Sequence, residues 1–412
     1  MGGGAADSLG HTLKRDRGRS GRLARAHAGT GPWGGSREAD PPRPAKQTPA
    51  TYISSVSKLR VGVIFGGRSG EHEVSIASAA SIFKHLDPSR YEPVPIRIEK
   101  DGRWVLTGSV PTAISAADVL QQPQTDAIAT VEPTQAVAGG RVDVVFPVLH
   151  GPFGEDGTVQ GLLELAGVPY VGCGVLASAA GMDKAVMKML FAARGLPVGP
   201  YLTTLRREWH GDAAAVAARV ERELQYPVFV KPANLGSSVG ISKARTRAGL
   251  DEAMRVALDF DRKVVIEAAV PEAREIECAV LGNDEPDASL PGEVIPGREF
   301  YDYEAKYLDA SSQTLIPAPL TADQTATIRR LAIEAFRAVD GSGLARVDFL
   351  MARATGEIVV NEVNTMPGFT TISMYPQMWE ASGLPYAALL DRLVALALER
   401  HAEKQQLKTS RT

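Results

Sequence analysis

Residues 344–364 hold the densest chemistry in the chain. Leu344-Ala345-Arg346-Val347-Asp348-Phe349-Leu350-Met351 is followed by small turn residues around Thr355 and Gly356, then by Glu357-Ile358-Val359-Val360-Asn361-Glu362-Val363-Asn364. Two alternating runs around a short turn predict a β-hairpin. Centred on Thr355, it sets Asp348 opposite Glu362 and Arg346 opposite Asn364, all on one face. Directly opposed Cβ atoms lie ~4.5–5.5 Å apart, where like charges destabilise a sheet. Asp348, Glu362 and the amide oxygen of Asn364 are hard oxygen donors, of the kind magnesium takes while it keeps phosphate oxygens and water. A cation between the strands is therefore one reading. A solvated face with coincidental charges is the other, and Val347, Phe349 and Val363 on the opposite face weigh against it.

A second polar segment is Lys231-Pro232-Ala233-Asn234-Leu235-Gly236-Ser237-Ser238-Val239-Gly240, a small, donor-rich loop after a strand. Its backbone N–H groups and hydroxyls suit a polyphosphate cover with Lys231 as a point charge at the base, or simply a flexible surface loop. It is not a Walker A loop, because G-x-x-x-x-G-K-[ST] is absent from the sequence. Lys184, near a helix start, and Lys306, in Tyr301-Asp302-Tyr303-Glu304-Ala305-Lys306-Tyr307, are weak signals when taken singly.

The elements that must position these groups read as α/β. Leu59 to Phe65 is a β-rich run ending in Gly66-Gly67-Arg68-Ser69-Gly70, followed by Glu71-His72-Glu73-Val74-Ser75 and a helix through His85. Val142 to Val148 repeats the pattern, leading into His150-Gly151-Pro152-Phe153-Gly154-Glu155-Asp156-Gly157 and a helix from Val159 to Ala166. Two such units predict one parallel sheet whose carboxyl ends form a crevice. The dinucleotide fingerprint fails, since Arg68 and Glu71 stand where glycines are required. A helix is expected from Asp183 to Gly195, with Asp183 as N-cap and Val186, Met189, Leu190 and Ala193 as its apolar stripe. Strands are expected at 227–231, 263–268, 275–281, 344–351 and 357–364.

Composition bounds the rest. A chain of 412 residues exceeds what one core usually organises, so two or three lobes are expected. No apolar run has the length of a bilayer span; Ala387 to Leu398 is broken by Asp391 and Arg392. Cys173 and Cys278 form no disulfide framework or paired metal motif, which favours a reducing cytoplasm and two small buried thiols. Residues 1–50 hold 10 glycines, 5 prolines and 9 Lys plus Arg against 4 Asp plus Glu. That segment is expected to be disordered. The remainder is net acidic, which argues against a nucleic-acid footprint. The basic tail lacks the aromatic interleaving or amphipathic period that nucleic-acid or lipid binding would use. A native start near Val56 is a further expectation, which a peptide recovered from residues 10–40 in cell-derived protein would overturn.

Together these motifs resemble the D-alanine–D-alanine ligase family, in the right order over roughly residues 59–400. The resemblance rests on the Gly66–Ser75, His150–Gly157, Gly181–Lys184, Lys231–Gly240 and Tyr301–Tyr307 runs, on Arg346-Val347-Asp348, and on Asn361-Glu362-Val363-Asn364-Thr365-Met366-Pro367-Gly368-Phe369-Thr370. It implies an ATP-grasp fold: an N-terminal α/β domain with a parallel sheet (59–176), a central lobe (177–269) and a C-terminal lobe carrying the metal site (270–402). Residues 1–58 and 403–412 would be an extension and a tail. It also implies ATP, two magnesium ions with manganese as an alternative, D-alanine as substrate, a homodimer, and no nucleic-acid or membrane partner.

Residue by residue, Asp348, Glu362 and Asn364 resemble the metal ligands, and Arg346 with the backbone N–H of Gly368 the oxyanion-stabilising groups. Lys184, Lys231 and Lys306 resemble phosphate contacts, and Gly236-Ser237-Ser238 the cover over ATP. Glu267 and Glu275 resemble the groups that hold adenine and ribose. Glu71 resembles the anchor for the first D-alanine's ammonium, linked to Ser237 and Tyr307. His150 lies near that subsite in the family, and Ser373 with Met374 holds the second carboxylate. Tyr307 stands where ester-forming relatives carry a histidine-bearing sequence, so an amine acceptor is expected. The alternatives are another ATP-grasp carboxylate–amine ligase and an inactive ATP-binding module.

Overall fold

The computed structural model describes residues 57–113, 115–121, 127–296 and 313–408. The readings placed on residues 1–56 and on Tyr301 to Tyr307, including Lys306 and Tyr307, lie outside that set. Among the described residues no single helix is long and apolar enough to cross a membrane.

Three sheets carry the site. The first comprises β1 (Leu59–Gly66), β2 (Tyr91–Ile98), β3 (Trp104–Thr107), β4 (Ala127–Val131) and β5 (Val144–Pro147), in the order β4-β3-β2-β1-β5. Strands β2, β1 and β5 are parallel, as expected of crossover units with intervening helices. The expectation of an all-parallel sheet fails at the edge. There β2 turns directly into β3 through Glu99 to Arg103, and so short a connection permits only antiparallel pairing.

The second sheet is antiparallel: β6 (Tyr201–Leu205), β7 (Val228–Pro232), β8 (Ser242–Ala244) and β9 (Lys263–Ala268), ordered β6-β9-β7-β8. Helices Ala213–Glu223 and Arg247–Phe260 share its core through Val216, Val220, Leu250 and Met254. The third sheet has β10 (Ala273–Gly282), β11 (Asp287–Ala288), β12 (Gly292–Ile295), β13 (Gln313–Leu315), β14 (Gly343–Ala352) and β15 (Ile358–Asn364), ordered β13-β12-β10-β14-β15 with β11 on β10.

The β14–β15 register sets Arg346 against Asn364 and Asp348 against Glu362, as the hairpin predicts. Beyond that pair the register slips: Phe349 faces Val360, and Asn361 is the extra residue of a β-bulge. Strict alternation cannot bury both Val360 and Val363, which lie an odd number of residues apart. The bulge buries both and leaves Asn361 and Glu362 together on the site side.

The helix expected at Asp183 spans Lys184–Ala193, and Asp183 caps it by accepting from the backbone N–H groups of Ala185 and Val186 at 3.1 Å. Its buried face is not the expected stripe. Met189 is 55% exposed, whereas Met187 and Phe191 are fully buried and Lys184 and Lys188 nearly so. Two faces satisfied the apolar period, and the lysines disguised the true one, because their charges meet carboxylates, the half-buried Glu362 and the buried Glu267, instead of water.

One apolar cluster joins the first and third sheets. Phe65 and Phe146 of the first sheet pack in it with Phe369, Tyr375, Leu389, Leu390 and Leu393 from the end of the chain. Cys173 and Cys278 are buried free thiols, as expected.

Candidate active site

A cavity of about 330 Å³ receives a loop or strand from each of the three sheets. From the first sheet come the turns after β1 and β5. Gly66 and Gly67 adopt φ of +91° and +97°, and a Cβ on Gly66 would stand 2.3 Å from the Ile98 carbonyl oxygen, so the turn before Glu71 requires glycine. Glu71 is held in the mouth of that turn, and Ser237 Oγ donates to its Oε1. The expected link between these residues is thus formed across two sheets, while Tyr307 lies outside the described residues.

His150 is buried at 5% exposure, and its Nδ1 donates to the Met366 carbonyl at 2.9 Å. Its Nε2, also buried, has no hydrogen-bond partner among the described residues. Burial holds the imidazole below its ordinary range, so it stands neutral beside Glu71. Glu155, which the expected site omits, accepts from the Gly151 N–H at 2.7 Å and is equally buried. Burial, reinforced by the charge of Glu71, pushes its carboxyl up to about 8.

The second sheet supplies Lys231 at the end of β7 and Glu267 on β9. Lys231 Nζ lies 2.9 Å from Glu267 Oε2, and Lys188 Nζ lies 3.3 Å from Glu267 Oε1. Burial alone would lower the Lys231 ammonium, but Glu267 and Glu362 outweigh it and raise the group above its usual range. Burial would likewise raise Glu267; Lys188 and Lys231 outweigh it, so this carboxyl stays ionised. Lys184 Nζ donates to the Leu235 carbonyl at 2.6 Å and reaches Glu362 at 3.8 Å, tying its helix to the serine loop. In that loop Ser237 and Ser238 both take positive φ, +49° and +58°, an uncommon and strained backbone for side-chain-bearing residues.

The third sheet contributes a row of carboxylates across three strands, Glu277 opposite Asp348 and Asp348 opposite Glu362. Arg346, one step along on the same face, grips both Asp348 oxygens at 2.7 Å and reaches Glu277 at 3.1 Å. Glu275, Asn364, Gly368, Ser373 and Met374 also line the cavity. A Cβ on Gly368 would stand 2.9 Å from Ser373 Oγ, so a side chain there would have to displace that hydroxyl.

Every expected site residue within the described set lines this cavity. Glu155, Glu277 and Asn361 also line it, and Lys188 stands against Glu267 outside the lining; none of the four is among the expected site residues. Signals existed for three of them: Glu155 lies inside the glycine-rich run, Glu277 follows Glu275 by one strand period, and Lys188 follows Lys184 by one helical turn.

Among the described residues no three His, Cys, Asp or Glu side chains converge as a metal cluster. The Asp348, Glu362 and Asn364 set nevertheless offers oxygen donors that face the cavity, with both Asp348 oxygens held by Arg346. That donor chemistry fits magnesium.

The family models for the D-ala D-ala ligase N-terminus and C-terminus match residues 60–173 and 190–395. The chain belongs to the D-alanine–D-alanine ligase family. The D-alanine–D-alanine ligase of Heliobacterium modesticaldum is 53% identical over 365 residues, 86% of this chain and 98% of that protein. The ligase of Bacillus licheniformis is 51% identical over 359 residues, 85% of this chain and 99% of that protein. Among solved structures, the Coxiella burnetii ligase superposes with a TM-score of 0.72 at 38% identity, covering 85% and 96% of the two chains. A D-Ala:D-Ser ligase from Enterococcus faecalis gives 0.72 at 37%, covering 83% and 100%. The fold is therefore ATP-grasp, and the ligase joins two D-alanines at the expense of ATP for peptidoglycan synthesis.

Proposed function

We propose that the cavity activates the carboxylate of one D-alanine as an acyl phosphate and presents it to the amine of a second. A carboxylate is a poor electrophile until one oxygen becomes a phosphate leaving group, so positioning and charge neutralisation are most of what the protein must supply. Lys184 and Lys231 contact the phosphates with Lys306, and the Gly236-Ser237-Ser238 loop covers them. Asp348, Glu362 and Asn364 hold two magnesium ions, with manganese an alternative. Magnesium held there neutralises the charge of the transferring phosphoryl group.

Glu71, steadied by Ser237, anchors the first ammonium; Tyr307 belongs to the same set. Neutral His150 offers Nε2 to that substrate. Arg346 and the Gly368 N–H stabilise the tetrahedral oxyanion, and Ser373 with Met374 holds the second carboxylate. Glu267 and Glu275 face adenine and ribose. The lobes run 59–176, 177–269 and 270–402, and the enzyme works in the cytoplasm, where ATP is made, as a homodimer.

The observation that supports this reading most is the Glu71–Ser237 contact, which brings an ammonium-sized anchor from one sheet against the phosphate-covering loop of another. The test supplies ATP, Mg²⁺ and D-alanine with D-serine or D-lactate as competing acceptors, reading phosphate release and products by mass spectrometry. D-Ala-D-Ala is expected to dominate near neutral pH. D-Ala-D-Ser or the ester as main product would overturn the acceptor assignment. Glu362→Gln is expected to abolish phosphate release with an unchanged circular dichroism spectrum, and undiminished release would remove Glu362 from the metal set.

A further inference from the structure

Lys188 is 3% exposed, and its ammonium meets three partners that nothing in the reaction requires it to meet. It lies 3.3 Å from Glu267 Oε1, donates to the Asn361 backbone carbonyl at 3.3 Å, and sits 5.9 Å from the centre of the Tyr201 ring. Asn361 is the bulge residue of β15, and its side-chain oxygen accepts from Lys231 at 3.4 Å. Both Glu267 oxygens thus face a cation from the protein side, Oε2 hydrogen-bonded to Lys231 and Oε1 only ion-paired with Lys188, its hydrogen-bonding capacity unused among the described residues.

We propose that Lys188 is a positioning residue that sets nucleobase specificity, holding Glu267 as an ionised acceptor so that the site takes a purine with an amine at carbon 6, as in adenine, and rejects one with an oxygen there, as in guanine. This rests on the reading that Glu267 faces the base. An ionised carboxylate offers only lone pairs, which match the exocyclic amine of adenine and repel the exocyclic oxygen of guanine. Burial pulls the Lys188 ammonium below its ordinary range while Glu267 pulls it up; without Lys188, Glu267 keeps its burial but loses one of two cationic neighbours, which favours protonation. A protonated carboxyl can donate, and the distinction between the two purines weakens.

The experiment compares Lys188→Met, Lys188→Gln and Lys188→Arg with the parent full-length enzyme. It uses saturating D-alanine and varied ATP or GTP, with ADP and GDP binding measured by calorimetry. Loss of the charge is expected to raise the KM for ATP about tenfold, as for a lost charge-assisted hydrogen bond, with a smaller change in kcat. The ATP-over-GTP preference in kcat/KM is expected to shrink by a similar factor in Met and Gln, and to be restored largely by Arg. Lys188→Gln keeps a donor and similar bulk, and carries the same comparison if the Met variant does not fold. A lower melting temperature with an unchanged ATP-to-GTP ratio would show a merely structural lysine and overturn the proposal. Glu267→Gln separates the two levels. If it leaves the ratio unchanged, the base-facing reading of Glu267 fails; if it changes the ratio while Lys188→Gln does not, only the role of Lys188 fails.

Discussion

Glu155 shows how a charge can be silenced by its neighbours. It shares the cavity with Glu71, Glu362 and Lys184, accepts from the Gly151 N–H, and is too buried to ionise readily beside the Glu71 charge. Its folded-state carboxyl titrates near 8, above the ordinary carboxylate value. Between those two pH values the folded state binds more protons than the unfolded one, so stability must fall as pH rises through the window. The contribution is fully present at acid pH and lost by about pH 8. Glu155→Gln keeps the oxygen that accepts from Gly151 and removes the titration. Its melting temperature is therefore expected to vary less between pH 5 and pH 8 than that of the parent, by differential scanning fluorimetry. Parallel melting curves would mean that Glu155 is ionised throughout.

At the scale of elements, the legible parts were those whose periodicity had one solution. The opposition of Asp348 and Glu362 followed from hairpin symmetry, and the turns after β1 and β5 followed from glycine punctuation. The bulge at Asn361 was not legible, because it answers to the burial of Val360 and Val363 against the rest of the core, which one hairpin does not report. The Lys184–Ala193 helix was turned to the wrong face because its lysines are buried by partners distant in sequence, Glu267 and Glu362. Antiparallel β3 and β4 were not legible because they are short, four and five residues. The first glycine turn supports a prediction at this scale. Gly66→Ala forces positive φ on an alanine and drives its Cβ into the Ile98 carbonyl, so the urea midpoint is expected to fall by the equivalent of ~2 kcal/mol or more. An unchanged midpoint would mean that β2 yields.

Across the whole molecule, the first and third sheets are not separately founded. Phe369 packs edge-on against Phe146 at 5.3 Å and beside Tyr375 at 5.5 Å, and its backbone N–H donates to Ser78 in the first helix at 3.1 Å. It thereby fixes the neighbouring Gly368 against the loop that carries His150. The second sheet, by contrast, has a core of its own. Phe369→Ala is expected to destabilise the fold by ~3–5 kcal/mol. Hydrogen exchange should accelerate together in β5 and in helix Tyr386–Gln405, with less change in β6 to β9. Acceleration confined to the C-terminal helix would show two independent cores. The shared aromatic layer also orders events during synthesis. The ribosome releases β1 and β5 long before Phe369, with the entire second sheet made in between. A nascent chain stalled at that sheet holds Phe65 under Phe83 of the first helix but Phe146 without Phe369, so that face of the first sheet stays open to chaperones and proteases until almost the last residues arrive.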